Sequence, residues 1–297
     1  MNNSSDPLIS IIIPTYNHSR YLGRALQSIY EQTYGNWEAI IVDNHSTDDT
    51  YDVVKRFVDP RVSYLKIHNG GIIAASRNMG IKAAKGHWLA FLDSDDWWST
   101  DKLEICSKYI DDNLDLIHHD LDIVYDQHSL FRRNVTCSRQ LKSPMLKDLL
   151  IKGNAIVNST VIVRKKLLTK VGGISEDKNM VASEDYNTWL RIAALTDRFK
   201  YLPKSLGCYQ IHSNGVSQRD MSRSDHAAIA EFKGQLTPDQ LGEVEKLLSY
   251  VSGRFNYLKK EYTIAELALK KALPSKSPLI TVKAVMMLAI IFMFKKS

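Results

Sequence analysis

The segment Phe91-Leu92-Asp93-Ser94-Asp95-Asp96 sets three carboxylates at the end of an apolar run, where no core could neutralise them. Hard cations such as Mg²⁺ or Mn²⁺ take carboxylate oxygens, keep several waters and are commonly shared with substrate phosphates. A phosphate-bearing substrate is therefore the first chemistry suggested. Clustered carboxylates raise one another's pKa unless a cation compensates, so a metal-free site would be partly protonated or disordered. The plainer alternative makes Ser94 to Asp96 the N-cap and first turn of a helix ahead of Trp97. A further carboxylate, Asp185, starts the helical pattern Tyr186 to Leu195, where the helix dipole keeps it ionised and able to remove a proton. Ser183 could instead begin a capping box, but that motif needs Glu or Gln three positions on, and Tyr186 stands there.

These residues need a scaffold. Ile9 to Ile13 is a β-branched run closed by Pro14, and Ala39 to Val42 is a second closed by Asp43, each followed by helical periodicity. Between them Tyr21, Leu22, Ala25, Leu26 and Ile29 share one helical face. After Asp43, residues Ser46 to Asp49 offer N-caps for a helix through Val53, Val54 and Phe57. Val62 to Ile67 is predicted as a strand, Ile72 to Ala84 as a helix and Trp88 to Leu92 as a strand, which implies a doubly wound α/β fold. Ligands in such sheets bind beyond the carboxyl ends of the strands, and Tyr16, Asp43 and Asp93 all follow predicted strand ends. Gly-x-Gly-x-x-Gly and the Walker loop are both absent. Further on, strands are expected at Asp122 to Tyr125, Ala155 to Val163, Phe199 to Tyr201 and Gly207 to Ile211, with a polar loop to Ser143 and mostly helix from Ala227.

In order, Ile9-Ser10-Ile11-Ile12-Ile13-Pro14-Thr15-Tyr16-Asn17, Val42-Asp43-Asn44-His45-Ser46-Thr47-Asp48, Ser76-Arg77-Asn78-Met79-Gly80, the Asp93 to Asp96 cluster and Ser183-Glu184-Asp185-Tyr186 resemble family 2 glycosyltransferases over residues 8 to 215. Each motif alone is weak; five in sequence are specific. The resemblance implies a GT-A fold, a Rossmann-like, mostly parallel sheet flanked by helices, occupying residues 1–215. Its nucleotide-binding half would be about 1–113 and its acceptor half about 114–215, with a helical extension over 216–297. It also implies an inverting transfer from a nucleotide-sugar, UDP-linked by expectation, with Mn²⁺ or Mg²⁺ on the diphosphate. The usual Asp-Asp-Gly-Ser is here Asp43-Asn44-His45-Ser46, which puts the base in question.

By the same resemblance Asp95 ligates the cation, while Asp93 faces the ribose or a metal-bound water, with Ser94 in the same donor site. Asp43 accepts from the base, Thr15 and Tyr16 line its pocket, and Arg77 lies against base or diphosphate. Asp185 is the catalytic base, Glu184 a supporting or acceptor-facing residue, and His212 a second residue near the metal or the diphosphate. Each has an ordinary alternative: a turn former for Asp43, a solvated helix face for Arg77, a structural residue for His212, a cap for Asp96. Trp189 fits either the acceptor side or the core.

Composition narrows the setting. Across 297 residues, 44% hydrophobic and 24% charged is an ordinary globular balance. The net charge of +6 gathers at the end: Leu267 to Ser297 holds six lysines and no acidic residue. Leu279 to Phe294 is apolar on nearly all faces, but its 16 residues fall short of the roughly 18 to 20 of a spanning helix. A buried helix is one reading. An interfacial helix over 278–297, drawing the chain to anionic lipid and a lipid-linked acceptor on the inner face of the membrane, is the other. Nucleic acid is not an expected partner, because the basic excess lies beside apolar residues rather than among aromatics. Cys106, Cys137 and Cys208 form no Cys-x-x-Cys pair, and Met1 to Pro7 lacks a secretory pattern, so a cytoplasmic location is expected. Two rival functions remain, a nucleotidyltransferase and a glycan-binding protein with a decayed site.

Overall fold

The computed structural model describes residues 6–125, 134–136, 138–212, 215 and 219–296; Cys137, Ser213, Asn214 and much of the polar loop lie outside them. The chain divides into two compact units, residues 1–141, 155–176 and 191–212 forming the first and residues 142–154, 177–190 and 213–297 the second.

Among the described residues, the first unit is a nine-stranded sheet with helices. Strands β1 (Ile9–Thr15), β2 (Trp37–Asp43), β3 (Val62–Lys66) and β4 (Trp88–Phe91) pair in the order β3-β2-β1-β4, all parallel. β1 is buried along its whole length, as its uninterrupted β-branched run requires. Helix α1 (Ser19–Tyr30) turns Leu22, Ala25, Leu26 and Ile29 into the core. After the short α2 (Thr50–Val54), helix α3 (Ile73–Ala83) packs on β1 so closely that a Cβ on Gly80 would meet the Ile12 side chain at 2.6 Å, which explains the glycine.

Beyond β4 the parallel expectation gives way to a mixed arrangement. β5 (Trp97–Trp98) follows the acidic cluster directly, and α4 (Lys102–Ser107) starts only later, so a helix capped by Ser94 to Asp96 is corrected. Next come β6 (Leu116–Tyr125) and β7 (Asn134–Val135), then β8 (Ile162–Arg164), α6 (Lys165–Lys170) and β9 (Phe199–Ile211). β8 is antiparallel to both β4 and β6, and β9 is parallel to β6. It follows that β1, β4, β6 and β9 all point the same way.

Two sequence expectations fail for identifiable reasons. Ala155 to Val163 is not one strand, because Asn158–Thr160 forms a 3-10 turn whose side chains bond the acidic cluster. Phe199 to Ile211 is one strand rather than two. The register jumps from His119↔Leu202 to Asp120↔Ser205, and the irregularity absorbs Pro203, which has no N–H to give the ladder.

The second unit is helical: α5 (Met145–Lys152), the start of α7 (Glu184–Ala193), α8 (Ser222–Ile229), α9 (Pro238–Leu258), α10 (Tyr262–Lys271) and α11 (Pro278–Lys296). α9 begins at a capping box, Thr237 and Gln240 each bonding the other's backbone N–H, with Pro238 at the first helical position. Ala284, Met287, Leu288 and Ile291 of α11 pack with Ala265 and Leu269 of α10. The opposite face of α11 is also apolar and lies exposed: Val282, Val285, Met286, Phe292 and Met293 are each at least half accessible. Thus α11 is neither wholly buried nor amphipathic. No helix among the described residues is long and apolar enough to cross a membrane.

Candidate active site

The common strand direction gathers the candidate residues of the first unit at one sheet edge. Thr15 and Asp43 are register partners at the ends of β1 and β2, Asp93 to Asp96 follow β4, and His212 follows β9. Backbone bonds tie the edge together: Asn44 N–H donates to Thr15 O at 3.0 Å and Leu92 N–H to Ile12 O at 3.1 Å.

The acidic cluster does not share one environment. Asp93 accepts from Arg77 at 2.7 Å and from Asn158 Nδ2 at 3.0 Å, and its N–H donates to Ser159 Oγ at 3.1 Å. Arg77 is only 4% exposed, which corrects the solvated helix face: it is a buried cation held against the cluster. Ser94 Oγ lies 2.8 Å from His18 Nδ1. The Asp95 carboxylate lies 2.9 Å from His212 Nε2, and its carbonyl accepts from Arg24 at 3.2 Å. Asp96 is buried, accepting from Ser159 Oγ at 2.5 Å and from the Gln210 N–H at 2.9 Å. Burial pushes its carboxyl well above the usual range, and the charges of Asp95 and Asp93 add to this. The expectation that no core could neutralise the three acids is therefore corrected for Asp96, which is buried in the core with a hydrogen-bond donor on each carboxyl oxygen.

His212 stacks on Tyr21, ring centroids 4.8 Å apart, and meets His18 edge-on at 5.8 Å. Burial lowers the His18 pKa, which the charge of Asp95 opposes. An oxygen and a nitrogen 2.9 Å apart fit two descriptions. They can share a proton, or they can occupy adjacent positions on one octahedral cation, whose ligands at ~2.1 Å stand about 3 Å apart. No group of three or more His, Cys, Asp or Glu side chains among the described residues could cage an ion, so a cation here would take its remaining ligands from water and phosphate.

At the other end of the edge, Asp43 is 1% exposed and accepts from the Ser46 N–H at 3.0 Å, from the Ser46 hydroxyl and from the Tyr64 hydroxyl at 2.8 Å. A carboxylate offers about four acceptor positions, so about one remains for a base N–H. Burial, then this hydrogen bond, raises the Tyr64 pKa. Thr15 Oγ1 is buried without a hydrogen-bond partner, while Tyr16 stands 53% exposed. An orphaned buried hydroxyl costs about 1–3 kcal/mol unless something satisfies it.

In the second unit Asp185 and Glu184 open α7. Asp185 Oδ1 accepts from the Tyr186 N–H at 2.6 Å, Glu184 is 5% exposed, and Trp189 is fully buried, in keeping with the core alternative.

Sequence reasoning missed several residues of this site. Ser159 holds Asp96 through its hydroxyl, while its carbonyl accepts from Trp98 Nε1 at 2.8 Å and from Lys102 Nζ at 3.0 Å. Lys102 is wholly buried, and burial lowers its pKa far below that of a surface lysine. Asn158-Ser159-Thr160 lay inside the expected strand Ala155 to Val163; three polar residues within an apolar run were the usable signal. His18 carried no signal beyond its place after β1.

A mixed α/β sheet with acidic residues after the fourth strand is the architecture of a GT-A glycosyltransferase. Residues 10–172 match the model for glycosyl transferase family 2, and the chain belongs to that family. It is similar to the Escherichia coli UDP-Glc:alpha-D-GlcNAc-diphosphoundecaprenol beta-1,3-glucosyltransferase WfgD, 32% identical over 188 residues, covering 63% of this chain and 70% of that one. Its fold resembles S. aureus TarS 1–349 in complex with UDP-GlcNAc, with a TM-score of 0.66 at 19% identity, covering 96% of this chain and 89% of that one. It also resembles the mannosyltransferase PcManGT from Pyrobaculum calidifontis in complex with GDP-Man and Mn²⁺, with a TM-score of 0.62 at 18% identity over 97% and 81%.

Proposed function

We propose that the chain is an inverting transferase of surface-glycan synthesis, moving a sugar from a UDP-sugar to a hydroxyl of a saccharide or lipid-linked saccharide at the inner face of the membrane. The observation that carries this reading is the Asp95–His212 pair at 2.9 Å, beside Asp93, at the C-terminal edge of the parallel strands. Asp95 and His212 would hold Mn²⁺ or Mg²⁺, which offsets the charge of the departing diphosphate when bound. Asp93 and Ser94 face the donor, Arg77 holds Asp93 in place, and Asp43, Thr15 and Tyr16 take the base. Asp185 removes the acceptor hydroxyl proton as the new C–O bond forms and the bond to the diphosphate breaks, releasing a nucleoside diphosphate. Glu184 supports that helix start. A UDP donor and a lipid-linked acceptor are supported by the similarity to WfgD and TarS, and membrane contact by the exposed apolar face of α11.

The test is a panel of UDP- and GDP-sugars with Mn²⁺ or Mg²⁺, offered alkyl-diphosphate-linked N-acetylglucosamine and free saccharides. Metal-dependent release of nucleoside diphosphate and an inverted linkage are expected. Release of pyrophosphate would identify a nucleotidyltransferase instead. Asp185→Asn should lower turnover by about 10²–10⁴-fold with donor binding intact; near wild-type turnover would remove Asp185 from the mechanism.

A further inference from the structure

We propose that Asp225 is a positioning residue for Asp185, acting through Ser183, so that α8 sets the geometry of proton removal. This deepens the reading of Asp185 as the base and rests on it.

Ser183 is the hinge of the argument because of its place in the chain. Its carbonyl accepts the first bond of α7, from the Asn187 N–H at 3.0 Å, so it is the residue from which Glu184 and Asp185 emerge. A serine at that position ordinarily turns its hydroxyl to the N–H groups of its own helix. Here the hydroxyl is directed to α8 instead, lying 2.7 Å from Asp225 Oδ1 and 2.9 Å from Ser224 Oγ, and Ser183 is 1% exposed. One turn along, Asn187 Nδ2 donates to Ala228 O at 2.8 Å and to Glu231 Oε1 at 2.9 Å. The first turn of α7 is therefore fastened to α8 and the segment after it at both ends, with Asp185 between the two fastenings.

A serine has one proton, so the network has two states. With Asp225 ionised, Ser183 donates to it. With Asp225 protonated, the carboxyl can donate to Ser183, which is then free to donate to Ser224. Burial pushes the Asp225 carboxyl up to about 6, opposed by the Ser183 bond and aided by the charge of Asp220. Asp225 also lines a cavity of about 220 Å³ with Lys152 of α5, Tyr186 of α7 and the apolar Val244, Leu247, Leu248 and Val251 of α9. The elements that pack against α8 carry further charged groups: Lys178 on the 3-10 turn Lys178–Met180, Glu231 and Lys233 on the 3-10 turn Ala230–Gln235, and Glu243, Glu245, Lys246 and Arg254 on α9, with Arg223 and His226 on α8 itself. The switch between the two states then falls near pH 6, where neither state loses the link to α7 but the direction of the bonds reverses.

The experiment measures kcat and donor KM from pH 5 to 9 for the wild type, Ser183→Ala, Ser183→Thr, Asp225→Asn and Asp185→Asn, using the donor and acceptor with the highest turnover in the panel above. Ser183→Ala should lower kcat by about tenfold with donor KM changed less than twofold, and Ser183→Thr, which keeps the hydroxyl, should restore it. Asp225→Asn should remove a step near pH 6 from the kcat profile. An inactive Asp185→Asn together with unchanged kcat and pH profile in the Ser183 and Asp225 variants overturns the positioning role alone. An active Asp185→Asn overturns the base assignment and this proposal with it.

Discussion

The sheet edge of the first unit and the helices of the second treat their difficult groups in opposite ways. At the edge, each acid has a local partner: Arg77 faces Asp93, His212 lies beside Asp95, and Asp96 is buried against Ser159 and the Gln210 N–H. In the second unit, the mismatch is left open. Asp225 keeps a carboxyl that burial disfavours, and α11 exposes a face as apolar as the one it buries. A site that must accept a charged ligand gains from groups already held in position, because little is spent on ordering them when the ligand arrives. On the proposed reading, a surface that meets a second phase gains from being left uncovered.

The sharpest way to break this comparison lies within the cluster. Asp95→Ala should lower turnover by about 10²–10³-fold and abolish Mn²⁺ stimulation, since a cation on the leaving group supplies several kcal/mol. Asp96→Asn should cost less than about tenfold and leave the Mn²⁺ titration unchanged, because burial disfavours the charged carboxylate there and an amide is neutral and of the same shape. Equal losses in both variants would mean that the three carboxylates act as one site after all.

Next in size is a stability effect at Asp225. Its folded pKa of about 6 lies above the value near 3.8 expected unfolded, so the folded state holds the proton more tightly. Stability from this group is present below pH 4, falls as pH rises from about 4 to 6, and is lost above, by at most about 3 kcal/mol. Asp225→Asn should flatten the difference in melting temperature over that window and leave the variant the more stable protein at pH 8. A wild type that does not weaken relative to the variant between pH 4 and 6 would show that the carboxyl is not disfavoured.

Most of the first unit was legible because its signals are local. β-branched runs marked β1 and β2, and their ends marked Thr15 and Asp43. What escaped depended on contacts distant in the chain. Asn158 and Ser159 reach Asp93 and Asp96 across more than sixty residues, so nothing near them in sequence announces the turn that breaks the expected strand. The break expected between Tyr201 and Gly207 does not occur, because the register shift that accommodates Pro203 belongs to the pairing with β6, not to β9 alone. The directions of β8 and β9, which bring His212 to Asp95, likewise have no periodicity to reveal them. For α11 the composition was plain, but only packing shows which half of an all-round apolar helix is covered.

That uncovered half gives the third prediction. Met286→Asp with Met293→Asp, both about 60% exposed, should lower cosedimentation with anionic phospholipid vesicles by about tenfold or more. Turnover on a soluble acceptor should not change. If vesicle binding survives in the double variant, the exposed face of α11 does not carry it, and the comparison loses its second half.

The smallest expected effect reads the edge from the opposite direction, through a group it leaves unsatisfied. Thr15 Oγ1 is buried without a partner next to Asp43, whose own acceptor positions are nearly filled. Thr15→Val keeps the shape and removes the orphaned hydroxyl, so the nucleotide-free protein should be as stable as the wild type or more so, by up to about 1 kcal/mol. With a UDP-sugar present the order should reverse, donor KM rising a few-fold and the thermal shift on UDP binding shrinking, because the valine offers no hydrogen bond to the base or ribose. A variant that gains stability yet binds UDP unchanged would show that the hydroxyl is a packing residue, and that the edge is less fully prepared for its ligand than the acidic cluster suggests.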